Sequence, residues 1–265
     1  MRLVAVDLDG TLLNSSHKLS QATIEAVAHT RTAGVEVVLA SSRGVGCMRT
    51  IVRQLRLFDP AEFISAQGAL TGSLDEVGVL RVFDASRIPL TTARQVATLA
   101  ECAGLSVGWY CGSDWFVPRL DEAVERESAA VGHRPVVRHP ADIKRQPEKL
   151  LLMGSPDRLY ELDPIAEALP DGLTAQSSLP HYLEITRSGV DKGTALARIC
   201  RVRGIDAADV VAIGDGPNDL ALFDFAGISI AMANAPESVR AKASMVTYSN
   251  DDDGVAAVLE ILIRA

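Results

Sequence analysis

Apolar residues recur along this chain in short runs, at Leu3 to Val6, Val35 to Ala40, Phe63 to Ala66, Val210 to Ile213 and Ile228 to Met232. These runs lack the alternation of a half-exposed sheet and suit strands buried on both faces. Between them lie stretches with helical ends: Ser20 to Ala33 closed by Gly34, Gly193 to Arg203 closed by Gly204, and Pro217 to Ala226 closed by Gly227. Strands alternating with helices predict a parallel α/β fold.

The middle of the chain, Phe83 to Glu184, has the same mixed character but reads as a separate unit. Its pattern predicts helices over Thr91 to Ala103, Leu120 to Val131 and Asp157 to Leu169. Strands are expected over Ser106 to Cys111 and Trp115 to Pro118, flanking a Gly112-Ser113-Asp114 turn, and over Lys149 to Gly154 and Tyr182 to Thr186. The stretch from Gly132 to Pro147 is the most irregular, and no repeat or low-complexity tract is evident.

Composition narrows the function classes. The chain has 265 residues, 48% of them hydrophobic, enough for a well-buried core. Its 26 basic and 34 acidic residues leave a net charge of -8, which argues against nucleic acid as a partner. Cys47, Cys102, Cys111 and Cys200 are widely spaced in apolar surroundings and read as small core residues of a reducing compartment. No apolar run reaches membrane-spanning length and Leu3 to Val6 is too short for a signal-peptide core, so a cytoplasmic chain with no membrane partner is expected.

The candidate chemistry lies at strand ends. Asp7, Ser41 and Asp215 each stand where an apolar run gives way to a loop, the edge at which open α/β sheets bind ligands. In Val6-Asp7-Leu8-Asp9-Gly10-Thr11 the two acids are two residues apart, so on extended backbone both face one pocket while Leu8 packs behind. A second acidic cluster is Gly214-Asp215-Gly216-Pro217-Asn218-Asp219. Taken singly, the first motif reads equally as a polar turn and the second as a helix cap. Brought together, their carboxylates would repel by about 4 kcal/mol per pair at ~4 Å and an effective dielectric near ~20, so a cation is required among them. Hard oxygen donors with no His or Cys in either cluster favour Mg²⁺. Lys192, just before a helix, and Ser41 would each be ordinary surface or turn residues if read alone.

The order of these features resembles the haloacid dehalogenase superfamily, and within it the Cof-type phosphatases. Val6 to Leu13 is similar to the family's first motif, Ala40-Ser41-Ser42-Arg43 to its second, Lys192 to its third and Gly214 to Asp219 to its fourth. Ile230 to Ala235 and Ser249 to Val255 resemble the subgroup's C-terminal segments. Ser41, Ser42 and Gln67 stand where members more often carry Thr, Gly and Asn.

The resemblance implies a doubly wound, Rossmann-like core over residues 1–82 and 187–265 and a smaller inserted α/β cap over 83–186. It implies Mg²⁺-dependent hydrolysis of a small phosphorylated metabolite, with Asp7 as nucleophile through an aspartyl-phosphate and Asp9 as proton shuttle. Metal contacts would come from the Asp7 carboxylate, the Asp9 backbone carbonyl and Asp215, with Asp219 nearby. Ser41, the Ser42 N–H, Lys192 and Asn218 would hold the phosphoryl oxygens, with Arg43 and Arg187 near the entrance. Cap candidates for the leaving group are Trp109, Trp115, Tyr182 and His181, while Glu125, Arg126 and Glu127 read as a solvated helix face. A monomer or weak homo-oligomer is expected. A mutase of the same chemistry, a phosphoacceptor signalling domain and a non-hydrolysing phosphometabolite binder are the rival readings.

Overall fold

The computed structural model describes residues 1–156 and 162–264, and the chain divides into two compact units. The first comprises Met1–Ser42, Arg49–Phe83 and Asp191–Ala265; the second comprises Arg43–Met48 and Asp84–Val190.

The strands are β1 (Leu3–Val6), β2 (Glu36–Ala40), β3 (Phe63–Ser65), β4 (Leu70–Leu74), β5 (Leu80–Ala85), β6 (Ser106–Cys111), β7 (Asp114–Val117), β8 (Val136–Val137), β9 (Lys149–Met153), β10 (Leu173–Leu179), β11 (Tyr182–Arg187), β12 (Val210–Gly214), β13 (Ile228–Ala231) and β14 (Met245–Val246). The helices are α1 (Gln21–Thr32), α2 (Val45–Gln54), α3 (Leu90–Cys102), α4 (Glu122–Val131), α5 (Asp163–Glu167), α6 (Lys192–Arg203), α7 (Leu220–Phe225), α8 (Glu237–Arg240) and α9 (Gly254–Leu262).

The first unit is built on an eight-stranded sheet in the order β14-β13-β12-β1-β2-β3-β4-β5. Pairing is parallel from β14 to β3 and turns antiparallel between β3 and β4, so the expected parallel core carries a mixed edge. Central strands bury both faces. Leu3 and Ala5 pack with Val38, Ala40 and Ile64 against Ala195, Leu196 and Ile199 of α6 and Leu222 and Phe223 of α7. Val4 and Val6, also fully buried, alternate to the opposite face, and α1 and α9, packed against each other, add nothing to that first cluster.

The second unit holds a six-stranded sheet, β10-β11-β9-β6-β7-β8, antiparallel except where β7 meets β8. Alternation divides its side chains between two cores. Val107, Trp109, Leu150, Leu152, Leu183 and Ile185 pack with α3 and α5, while Tyr110, Leu151, Met153 and Tyr182 pack with Val124 of α4 and with Cys47. Of the helix expected over Asp157 to Leu169, residues 157–161 lie outside the described residues and α5 forms the remainder. The expected helix from Pro217 to Ala226 is a 3₁₀ turn over Pro217–Asp219 followed by α7. Among the described residues no helix is long and apolar enough to cross a membrane.

Candidate active site

Strand register assembles the site in the first unit. Val6 lies opposite both Leu39 and Ile213, so Asp7, Ser41 and Asp215 enter their loops side by side at the carboxyl edge. The Asp7 N–H still donates to the Ile213 carbonyl at 3.0 Å, and the Ser41 N–H to Ile64 at 2.9 Å. Leu8 is buried between the two acids, as the alternation requires. Gly10 then turns the chain at φ +77, and a Cβ there would lie 2.2 Å from Asp215 Oδ2. Glycine is needed at this position for both reasons.

Lys192 arrives from the far end of the sequence as the first residue of α6. Asp191 caps that helix, accepting from the Thr194 N–H while the Thr194 hydroxyl accepts from Asp191 N–H. The Lys192 side chain is fully buried, and Nζ donates to Asp7 Oδ1 and to Asp219 Oδ1, each at 2.7 Å. Asp219 Oδ2 accepts the backbone N–H groups of Asp215 at 3.0 Å and Gly216 at 2.9 Å. Asp219 therefore holds the acidic loop with one oxygen and the lysine with the other. Thr11, itself buried, donates to Asp215 Oδ1 at 3.0 Å, and Asn234 Nδ2 donates to the Gly10 carbonyl at 2.8 Å and lies 3.5 Å from Asp215 Oδ2. Neither Thr11 nor Asn234 was assigned a role from sequence; each sits inside a motif, but no periodicity marks it.

Carboxylate oxygens of Asp7, Asp215 and Asp219 all lie within 4.8 Å of one another. Burial, then the charge of Asp219, raises the Asp7 carboxyl well above its ordinary range, and the same two causes push Asp215 up to about 6. Burial works against the Lys192 ammonium, yet Asp219 and Asp7 hold it above its usual value. One ammonium against three carboxylates leaves excess negative charge. An all-oxygen donor set with that excess fits a hard divalent cation such as Mg²⁺. The Asp9 carboxylate stands outside this group, 38% exposed and 3.4 Å from His17 Nδ1.

Around the triad, Ser41 is fully buried and its carbonyl accepts the Gln67 N–H at 3.2 Å. Ser42 is half-buried beside it in sequence, and Asn218 Nδ2 donates to Gln67 Oε1 at 3.4 Å. Arg43 is buried and groups with the second unit.

In the second unit Trp109 is core packing, and Trp115 stacks on Tyr110 with centroids 5.7 Å apart. Tyr182 is buried and hydrogen-bonds Glu127, while His181 meets its ring edge-on and is shifted down by burial and Arg126. Arg187 is exposed. Glu127 corrects the solvated-face expectation. It is 8% exposed, and its carboxyl is raised by burial despite Lys149, because one turn of α4 brings it over the sheet with Val124. Cys102 is likewise corrected from core to exposed, being the last residue of α3.

A family model for haloacid dehalogenase-like hydrolases matches residues 4–259. Phosphatase YwpJ of Bacillus subtilis is 29% identical, with 99% of this chain and 100% of the relative covered. The 5-amino-6-(5-phospho-D-ribitylamino)uracil phosphatase YwtE of the same organism is 26% identical over 99% of this chain and 98% of its own. A crystal structure of a haloacid dehalogenase-like hydrolase from Bacteroides thetaiotaomicron superposes with a TM-score of 0.89 at 28% identity, covering 98% of this chain and 99% of that one.

Proposed function

This chain belongs to the haloacid dehalogenase-like hydrolases, and on that premise we propose that it is a Mg²⁺-dependent phosphatase of small phosphorylated metabolites acting through an aspartyl-phosphate on Asp7. The observation that carries the reading is the buried Lys192 ammonium bridging Asp7 and Asp219 beside Asp215, at the sheet edge where ligands bind.

In the proposed reaction Asp7 attacks phosphorus with one carboxylate oxygen as the bond to the leaving oxygen breaks. Asp9, more exposed than Asp7 and outside the triad, gives its proton to the departing alkoxide and then takes one from the water that hydrolyses the acyl phosphate. Its position beside rather than within the acidic group supports the separate role. Ser41, the Ser42 N–H, Lys192 and Asn218 hold the phosphoryl oxygens and spread their charge. Asp7, Asp215 and the Asp9 carbonyl, with Asp219 nearby, would hold Mg²⁺, which would supply positive charge to the transferring group. Asp215 is oriented for that by Thr11, and Lys192 keeps Asp7 aimed. The second unit is proposed as the source of leaving-group recognition. YwtE, 26% identical, is named for a phosphorylated ribitylaminouracil substrate.

The test is phosphate release from a panel of sugar phosphates, pyridoxal phosphate and phosphorylated flavin precursors, with Mg²⁺ and with chelator. Turnover should require the metal, Asp7→Asn should abolish it, and Asp9→Asn should reduce it by about 10²-fold or more. Full turnover by Asp7→Asn would rule out the covalent scheme.

A further inference from the structure

The turn after β3 is built against local preference. Ala66 and Gln67 are consecutive non-glycine residues at φ 52 and 60, a costly pairing that persists where the surroundings impose it. Gly68 follows at φ +98, and a Cβ on it would lie 2.1 Å from the Asp191 carbonyl oxygen, so the turn is pressed against the start of α6. The Gln67 N–H is tied to Ser41, and its side-chain oxygen accepts from Asn218. Gln67 is 4% exposed, and its Nε2 is buried with no hydrogen-bond partner among the described residues. A buried amide donor left unpaired is expensive. The strained turn thus holds Gln67, with its spare N–H donor, beside Ser41, Asn218 and the start of α6.

We propose that Gln67 Nε2 donates a hydrogen bond to a phosphoryl oxygen of the bound substrate, while Oε1 orients the Asn218 amide for the same group. Gln67 is then a phosphate-binding residue in addition to Ser41, Lys192 and Asn218. The inference rests on the phosphoryl-transfer reading above. The glutamine is long enough to serve both contacts, since one end of its planar amide is already committed to Asn218.

The experiment is calorimetric titration of the full chain with inorganic phosphate in Mg²⁺, comparing wild type, Gln67→Leu and Gln67→Glu, with thermal melts of each free protein. Gln67→Leu should weaken phosphate about tenfold, the loss of one hydrogen bond to an anion, while its melting temperature changes little, because removing the unpaired Nε2 offsets losing the long contact with Asn218. Gln67→Glu, which keeps the length but replaces the donor by a charge, should weaken phosphate at least as much. Wild-type affinity in either folded variant would overturn the proposal. So would a raised KM for a phosphomonoester with phosphate affinity unchanged, which would put the amide on the leaving group. A lowered melting temperature with phosphate affinity unchanged would leave Gln67 a packing residue and overturn it as well. If wild type binds phosphate through Gln67 but hydrolyses no ester in the panel, the phosphatase reading fails and this one stands.

Discussion

Asp7, Asp215 and Lys192 are all shifted from their ordinary ionisation by burial and by charged neighbours in the first unit. With Asp215 held at about 6 against an ordinary 3.8, the folded chain binds a proton that the unfolded chain has released between those values. Stability that this group supplies at low pH is therefore lost as pH rises from the unfolded value through about 6, and Asp7, also raised, acts in the same direction. A cation binding the ionised carboxylates restores what is lost. Magnesium should thus raise the melting temperature markedly at about pH 7.5 and little at about pH 5, as followed by scanning fluorimetry; equal shifts at both would contradict the account. At this scale Asp7, Asp9 and Asp215 were legible because strand ends mark them. The double role of Asp219 was not, since its backbone N–H donors come from the adjoining turn while its ammonium partner lies 27 residues away. Glu127 misled for the opposite reason: two charged neighbours in sequence say nothing about which turn of α4 faces the sheet.

Helix α6 sets the position of Lys192, and its own position depends on close contact with α7. A Cβ on Gly193 would stand 2.1 Å from the Ala221 carbonyl oxygen, a backbone atom that no rotamer change can move. Gly193→Ala should push the two helices apart, costing about 1–3 kcal/mol in urea unfolding. Because the displaced residue adjoins Lys192, phosphate release should fall with it. Unchanged stability and turnover would show that the helices separate freely. The ends of α6 were legible, with Asp191 as cap and Gly204, at φ +59, closing it. Helix α2 was missed, although Val45, Met48, Ile51 and Val52 recur along it at helical spacing and are buried; β4 and β5 were not anticipated because Thr71, Gly72, Ser73, Arg81 and Asp84 dilute the apolar signal. β4 pairs with β3 as a local antiparallel hairpin, Ser65 opposite Leu70, and no Asn-Gly or Asp-Gly pair marks its turn in the sequence.

Over the whole molecule, two sheets with separate cores divide the labour: one gathers segments from residue 7 to residue 234 around a carboxylate triad, the other buries Glu127, Lys149 and Glu184 within an α/β unit. The α/β class and the alternating core were readable from runs of apolar residues. The grouping of Arg43–Met48 with the second unit was not, since it depends on Cys47 packing with Tyr110 and Trp115, far along the chain. The proposed function turns on Asp7 as the residue that would take the phosphoryl group. The direct measurement is to quench the enzyme during turnover of a substrate from the panel, reduce it with borohydride and locate the modified residue by peptide mass spectrometry. Modification at Asp7 alone is the predicted result; modification at Asp9, or turnover with no modified aspartate, would contradict it.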